Sequence, residues 1–127
     1  MKKNTSDIAV ITAAKDLCKY VMHVTSKSPK QFRMSFVSRM QNLSLDIIEN
    51  LLKANLMRLN TDENKYRIRF QRRADLSLKM LDYIAMVSRE CGCILPNQHE
   101  NICKMLAETQ SLLGGWINND KKRRQKS

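Results

Sequence analysis

The fold is decided by residues 36–56, which read FVSRMQNLSLDIIENLLKANL. Apolar side chains recur in this stretch every three or four residues, which is the period of one face of an α-helix. The main stripe consists of Phe36, Met40, Leu43, Ile47, Leu51 and Ala54, and it is widened by Val37, Ile48, Leu52 and Leu56. This apolar face is wider than a helix packed against one neighbour needs. We therefore expect a helix over residues 29–59 that lies centrally or also contacts another subunit.

Helical patterns also lie on both sides of this stretch. The pattern before it covers residues 6–25, with Ser6 as a candidate N-cap. Ser28 and Pro29 then restart the chain, because serine caps a helix well and proline suits the first helical position. Two helices joined by a short connection are therefore predicted for the first half of the chain.

The second half of the chain carries two more helical patterns. The polar residues 60–64 separate them from the first half, and Thr61 or Asp62 is a candidate cap for the third helix. Gly92 fits the position just past the end of that helix. Asn97 is a candidate N-cap for a fourth helix, which is predicted to end at residues 118–120.

The arrangement predicted for these helices is an all-α, antiparallel, up-down-up-down four-helix bundle over residues 1–120, followed by a basic, disordered tail over residues 121–127. Only three glycines and two prolines occur in 127 residues, which is too few for an all-β fold. Gly114 and Gly115 interrupt the fourth helical pattern. They indicate either close helix packing beside Trp116 or a flexible point where the tail leaves the bundle.

The length and the charge of the chain indicate a single domain that binds a polyanion. Its net charge is +11, from 23 basic and 12 acidic residues, which favours binding to nucleic acid. No uncharged apolar run is long enough to span a membrane, and the start of the chain does not fit a signal peptide. We expect a cytoplasmic protein without a membrane partner.

The positive charge is concentrated in three blocks. Residues 17–45 and residues 64–74 each hold five basic residues and no acid, and residues 121–127 hold five more basic residues. In an antiparallel bundle the second and third blocks share one end, and the first lies at the other end, about 30–40 Å away. Lysines and arginines placed in this way suit contacts with phosphates, and such contacts are insensitive to base sequence. The alternative is that these residues only solvate helix faces and a tail.

The candidate nucleic-acid contacts are most of the basic side chains of these blocks, together with Arg58, which lies close to them. They are Lys27, Lys30, Arg33, Arg39, Arg58, Lys65, Arg67, Arg69, Arg72, Arg73, Lys121, Lys122, Arg123 and Arg124. We expect Arg67, Arg69, Arg72 and Arg73 to lie mostly on a solvated face, where substitutions change stability little.

No pattern of catalytic residues is present, and we expect a protein that is not an enzyme and needs no cofactor. The chain has no phosphate-binding glycine loop, nucleophile elbow or dinucleotide fingerprint. Cys91, Cys93, His99 and Cys103 could supply four zinc ligands. Because C-x-C is an unusual spacing for zinc and Gly92 marks a helix end, the prediction is free thiols packed at a helix corner, with no metal.

Five short stretches carry a resemblance to a known family. They are residues 15–20 (KDLCKY), 28–33 (SPKQFR), 36–43 (FVSRMQNL), 92–96 (GCILP) and 112–118 (LLGGWIN). The chain resembles the Avd-like accessory variability proteins of diversity-generating retroelements. It is more distantly similar to the four-helix proteins encoded within ribosomal RNA intervening sequences. The paired cysteines Cys91 and Cys93 and the strongly basic residues 121–126 depart from that pattern or are not confirmed by it.

The resemblance implies a function as well as a fold. Avd-like proteins are helical bundles that form a basic pentameric ring, bind RNA or DNA, and associate with the reverse transcriptase of the element during mutagenic copying of template RNA into cDNA. On this basis the nucleic-acid contacts are Arg33, Arg39 and the cluster at residues 65–73, and the wide apolar face of the second helix packs against other subunits. Two alternatives stay open: an RNA-binding protein of the intervening-sequence type without a polymerase partner, and a purely structural basic oligomer.

Overall fold

The computed structural model describes residues 5–125 of the chain, with side chains described for residues 8–124. Over that range the secondary structure is entirely helical, which confirms the all-α prediction. The four long helices are α1 (Thr5–Thr25), α2 (Ser38–Leu56), α3 (Asn64–Glu90) and α4 (Pro96–Gln125). A short 3-10 helix (Lys30–Phe32) and one π-helical turn (Arg33–Val37) precede α2.

The helices enclose one apolar core. α1 packs against α2 and α4, and α3 packs against the same two helices. The largest fully buried apolar side chains are Val10, Leu17, Met40, Ile47, Leu51, Leu78, Leu81, Ile102, Leu106, Leu113 and Trp116. Their spacing of three, four or seven residues along each helix explains why these segments are helical, since only that spacing turns every apolar side chain towards the same core. No described helix is both long enough and apolar enough to cross a membrane.

The second helical segment differs from its prediction at both ends. Residues 30–37 form a 3-10 turn and a π turn in place of regular α-helix. Ser28 makes no capping hydrogen bond among the described residues. The α-helix ends at Leu56, three residues early, because Met57 adopts extended backbone angles. Asn60 then takes a left-handed conformation with φ of +63°.

The connection to α3 is held by side chains of the polar break. Thr61 Oγ1 accepts a hydrogen bond from the Glu63 amide, and Glu63 Oε1 accepts one from the Arg58 amide. The helix itself begins at Asn64, so neither Thr61 nor Asp62 is its N-cap. At the other end Gly92 has φ of +83°, and its amide donates to the Arg89 carbonyl. This left-handed glycine terminates the helix, as the sequence predicts.

The fourth helix begins and ends differently from its prediction. Pro96 is its first residue, and the Gln98 side chain accepts a hydrogen bond from the Leu95 amide. Asn97 is therefore inside the first turn and is not the N-cap. The helix does not end at residues 118–120 but continues to Gln125. The predicted disordered tail is thus helical over residues 121–125, and its last two residues lie outside the described range.

Three pairs of opposite charge support the helices from their exposed faces. Lys53 Nζ lies 3.1 Å from Glu49 Oε2, Lys79 Nζ 2.8 Å from Asp75 Oδ2, and Lys104 Nζ 3.6 Å from Glu100 Oε1. Each pair joins residues four apart in the favourable order, acid before lysine, and contributes only about 0.2–0.5 kcal/mol to its helix.

Candidate nucleic-acid interface

Arg67 lies in the interior of the protein, so the prediction that it sits on a solvated face is wrong. Only 4% of its surface is exposed. Its guanidinium donates two hydrogen bonds to the Asp120 carboxylate, at 2.7 Å from Nε and 3.0 Å from Nη2. The same group lies 5.0 Å from the ring of Trp116. An arginine whose three guanidinium nitrogens all donate hydrogen bonds inside the protein is not a contact for nucleic acid.

The surroundings of this ion pair explain why it can be buried. Arg67 Nη1 donates to the carbonyls of Met57 and Ala54, at 3.0 and 3.4 Å, and Gln71 Nε2 donates to Asp120 Oδ2 at 2.9 Å. The arginine therefore caps the end of α2 while it holds α4 against the start of α3. Buried charges are tolerated when geometry and additional hydrogen bonds offset their desolvation.

Four other basic residues of α3 do form an exposed surface. Lys65, Arg69, Arg72 and Arg73 are exposed and recur every three or four residues along the outward face of the helix. With Ile68 and Leu76 they line a shallow groove of about 340 Å³. Within the described residues none of the four cations has an acidic partner within 4 Å. Their charge is therefore available to an external anion.

Aromatic rings lie against several of these cations. Lys65 Nζ is 5.2 Å and the Arg69 guanidinium 5.5 Å from the ring of Tyr66. The Arg73 guanidinium lies 5.7 Å from the ring of Phe70. Such contacts restrict long, flexible side chains at little cost in solvation. The apolar pattern of the third helix includes both rings, but their contacts with the cations were not predicted. An aromatic residue three positions before an arginine on one helix is a recognisable signal for such a contact.

The end of α4 adds further positive charge beside the start of α3. Lys121, Lys122 and Arg123 are exposed. Arg124 is half-buried, and its Nη1 donates to Asn64 Oδ1 at 2.9 Å. Arg123 is 3.8 Å from Asp120, so its charge is partly compensated. The second and third basic blocks are therefore adjacent, as predicted for an antiparallel pair of helices.

We call this surface the basic end. It consists of Arg58, Lys65, Arg69, Arg72, Arg73, Lys121, Lys122, Arg123 and Arg124. Arg58 is exposed and lies in the connection between α2 and α3. Fixed cations along one face suit the regularly spaced phosphates of a nucleic acid and carry no information about base sequence.

The remaining predicted contacts lie in the first basic block. Lys27, Lys30, Arg33 and Arg39 are all exposed, and the described chain offers none of them an acidic partner within 4 Å. They lie around the corner between α1 and α2, and none of them belongs to the basic end. Arg33 and Arg39 therefore contribute to a second basic surface.

The cysteines are not assembled as a zinc site in the described part of the chain. Cys91 is exposed, Cys93 is buried, and Cys103 lies 3.3 Å from His99 Nε2 through its sulfur. No group of three or more histidine, cysteine or acidic side chains is placed to hold a metal among the described residues. Burial raises the pKa of the Cys103 thiol, and the nearby Asp82 carboxylate raises it further. A raised pKa keeps this sulfur protonated and unreactive at neutral pH.

Comparison with known proteins adds no assignment to this surface. No protein-family model matches the chain, and no curated protein matches it significantly. The resemblance to Avd-like proteins therefore stays a hypothesis based on the short stretches quoted above.

Proposed function

We propose that this protein is a non-enzymatic, nucleic-acid-binding accessory protein that contacts phosphates through its basic end. The observation that carries the proposal is a set of four exposed cations on the outward face of α3 that have no acidic partner among the described residues. They lie beside the basic last turns of α4. Surfaces of this kind supply the electrostatic part of nucleic-acid affinity, which dominates binding without sequence preference.

An up-down-up-down order of the helices belongs to this proposal. Contacts at three of the helix pairs support it: Ser44 with Cys18, Asn101 with Tyr20, and Arg67 with Asp120. In each case a residue in the second half of one helix contacts a residue in the first half of its neighbour, which is the pattern of antiparallel helices. This order is what places the two basic surfaces at opposite ends of the bundle.

The partner that we propose is the reverse transcriptase of a diversity-generating retroelement, which the protein assists in mutagenic cDNA synthesis from template RNA. This step rests on the family resemblance and not on the geometry of the basic end. The alternative is an RNA-binding protein of the intervening-sequence type without a polymerase partner. A neighbouring reverse-transcriptase gene with paired variable and template repeats supports the first, and its absence favours the second.

The decisive measurement is the salt dependence of nucleic-acid affinity. The variant Arg69→Gln/Arg72→Gln/Arg73→Gln removes three exposed cations and leaves Arg67 in place. For a duplex, each neutralised phosphate contributes about −0.9 to the slope of log K against log salt concentration. We expect the variant to bind unrelated sequences more weakly, to a similar degree for each, and to show a slope shallower by about two to three units.

A matched control has the same change in net charge elsewhere on the surface. The variant Lys15→Gln/Lys79→Gln/Lys104→Gln removes three exposed lysines outside the basic end. We expect its slope to stay close to that of the wild type. If both variants change the slope equally, the basic end has no special role; a wild-type protein that binds neither RNA nor DNA at low salt contradicts the proposed function.

A further inference from the structure

Two depressions lie side by side where the chain enters α2. The first, of about 450 Å³, is lined by Met34, Ser35, Phe36, Ser38, Arg39, Asn42 and Ile84. The second, of about 390 Å³, is lined by ten residues between Thr25 and Gln41, including Lys30 and Arg33. Both volumes fall within the range of small-ligand sites, about 300–1,000 Å³. The two depressions share Met34 and Ser38, so a single ligand is able to reach both.

The π-helical turn over Arg33–Val37 produces this shape. Its wider turn buries Val37 and leaves Met34 89% exposed, so that a flexible apolar side chain stands between the two depressions. The unbranched thioether of this largely exposed methionine adapts to flat apolar surfaces. Single π turns are often found at functional sites.

The first depression has the chemistry of a site for a planar, polar ring. Phe36 and Ile84 are half-buried and supply apolar walls. Arg39 and Asn42 are exposed at its edge. A guanidinium stacks on the flat face of a base, and a side-chain amide pairs with the donors and acceptors along its edge.

The second depression has the chemistry of a phosphate site. Lys30 and Arg33 are exposed on its rim without an acidic partner in the described chain. The sequence contains no acid at all between residues 17 and 45. An anion that enters this depression therefore meets two cations and no carboxylate among the residues that line it.

We propose that the two depressions form one binding site for an unpaired nucleotide, with its base in the first depression and its phosphate at Lys30 and Arg33 in the second. This inference rests on the proposed function and narrows its ligand to single-stranded segments. A base within a duplex is stacked and paired, and its ring cannot enter the first depression. Single strands are commonly recognised through such splayed-out bases.

The test compares three labelled DNA probes at one salt concentration: a single strand, the same strand with abasic sites, and a duplex. We expect the wild type to bind the base-bearing strand at least about fivefold more tightly than the abasic strand. The variant Met34→Ala/Asn42→Ala removes apolar surface and the amide from the first depression. It is expected to lose that preference and to bind the duplex as the wild type does.

Two further variants serve as a control outside the depressions and as a test of the phosphate site. Leu95→Ala/Asn97→Ala changes similar exposed residues outside both depressions and is expected to keep the preference for bases. Lys30→Gln/Arg33→Gln is expected to weaken binding of the base-bearing and abasic strands alike. Equal wild-type affinity for these two strands, or a preference that survives Met34→Ala/Asn42→Ala in folded protein, overturns the nucleotide site. A wild-type protein that binds none of the three probes is a different outcome, because it contradicts the proposed function itself.

Discussion

The ion pair of Arg67 and Asp120 shows how much one buried side chain organises in this protein. Asp120 is completely buried, and its carboxylate receives hydrogen bonds from Arg67 and Gln71. Arg67 also satisfies two carbonyls at the end of α2. Three helices therefore meet at a single guanidinium. Removing one partner of such a pair leaves a buried charge without compensation, which costs more than the pair itself contributes.

The first prediction at the residue scale concerns Arg67→Gln. We expect this substitution to lower the free energy of unfolding by about 3–5 kcal/mol, because the buried Asp120 loses both of its guanidinium hydrogen bonds and keeps only the more distant Arg123, at 3.8 Å, as a counter-charge. Urea unfolding followed by fluorescence measures the effect, since Trp116 is the single tryptophan and is fully buried beside Arg67.

The control for this prediction is Arg69→Gln, two positions along the same helix. Arg69 is exposed and has no acidic partner in the described chain, so its substitution is expected to change stability by at most about 0.5 kcal/mol. Equal unfolding midpoints for the two variants would mean that the buried pair contributes nothing beyond an exposed arginine.

At the scale of the helix, α4 carries two adjacent glycines that do not serve the packing expected of them. A methyl group built on either Gly114 or Gly115 meets no atom within 4 Å beyond its chain neighbours and the adjacent backbone of its own helix. Close helix packing beside Trp116 is therefore the wrong interpretation. A flexible exit of the tail is also wrong, since the helix continues without a break to Gln125. Both glycines instead weaken a helix that tertiary contacts hold in place.

The prediction for α4 is that Gly114→Ala and Gly115→Ala each stabilise the protein. Each substitution is expected to raise the free energy of unfolding by up to about 1 kcal/mol, because alanine has the higher helix propensity and open space receives its methyl group. The melting temperature of each variant checks this. The matched comparison is Gly92→Ala, which should destabilise, because φ at this position is +83°. A lower melting temperature for the α4 variants would indicate an unrecognised contact at these glycines.

At the scale of the whole molecule, four helices do not cover all of their apolar surface. Leu52 and Leu56, which widen the stripe of α2, are 44% and 76% exposed. Leu76 and Tyr83 on α3 are 61% and 64% exposed. Large apolar patches on a protein surface usually mark interfaces. This observation agrees with the expectation from the sequence that the apolar face of α2 also contacts another subunit, and the number five comes only from the family resemblance.

The assembly prediction is tested by light scattering. We expect a closed oligomer, with a mass near five times the chain mass of 14.8 kDa if the resemblance holds. Leu52→Glu/Leu56→Glu should dissociate it into folded monomers, because carboxylates are not tolerated in an apolar interface. Ala107→Glu/Ser111→Glu adds the same charge on exposed positions of α4 and should leave the mass unchanged. A wild-type protein of monomeric mass contradicts this prediction.

The sequence by itself determined the helices, the glycine that ends α3 and the three basic blocks. These features depend on residues at most a few positions apart, so periodicity and capping rules are sufficient to predict them. Only the tertiary structure decided that Arg67 is buried, that α2 ends at Leu56, that α4 continues past Asp120, and that two depressions flank Met34. Arg67 and Asp120 are 53 residues apart in the chain. Whether a cation faces solvent or a buried carboxylate depends on which distant side chain the packing brings within 3 Å, and no local pattern records that.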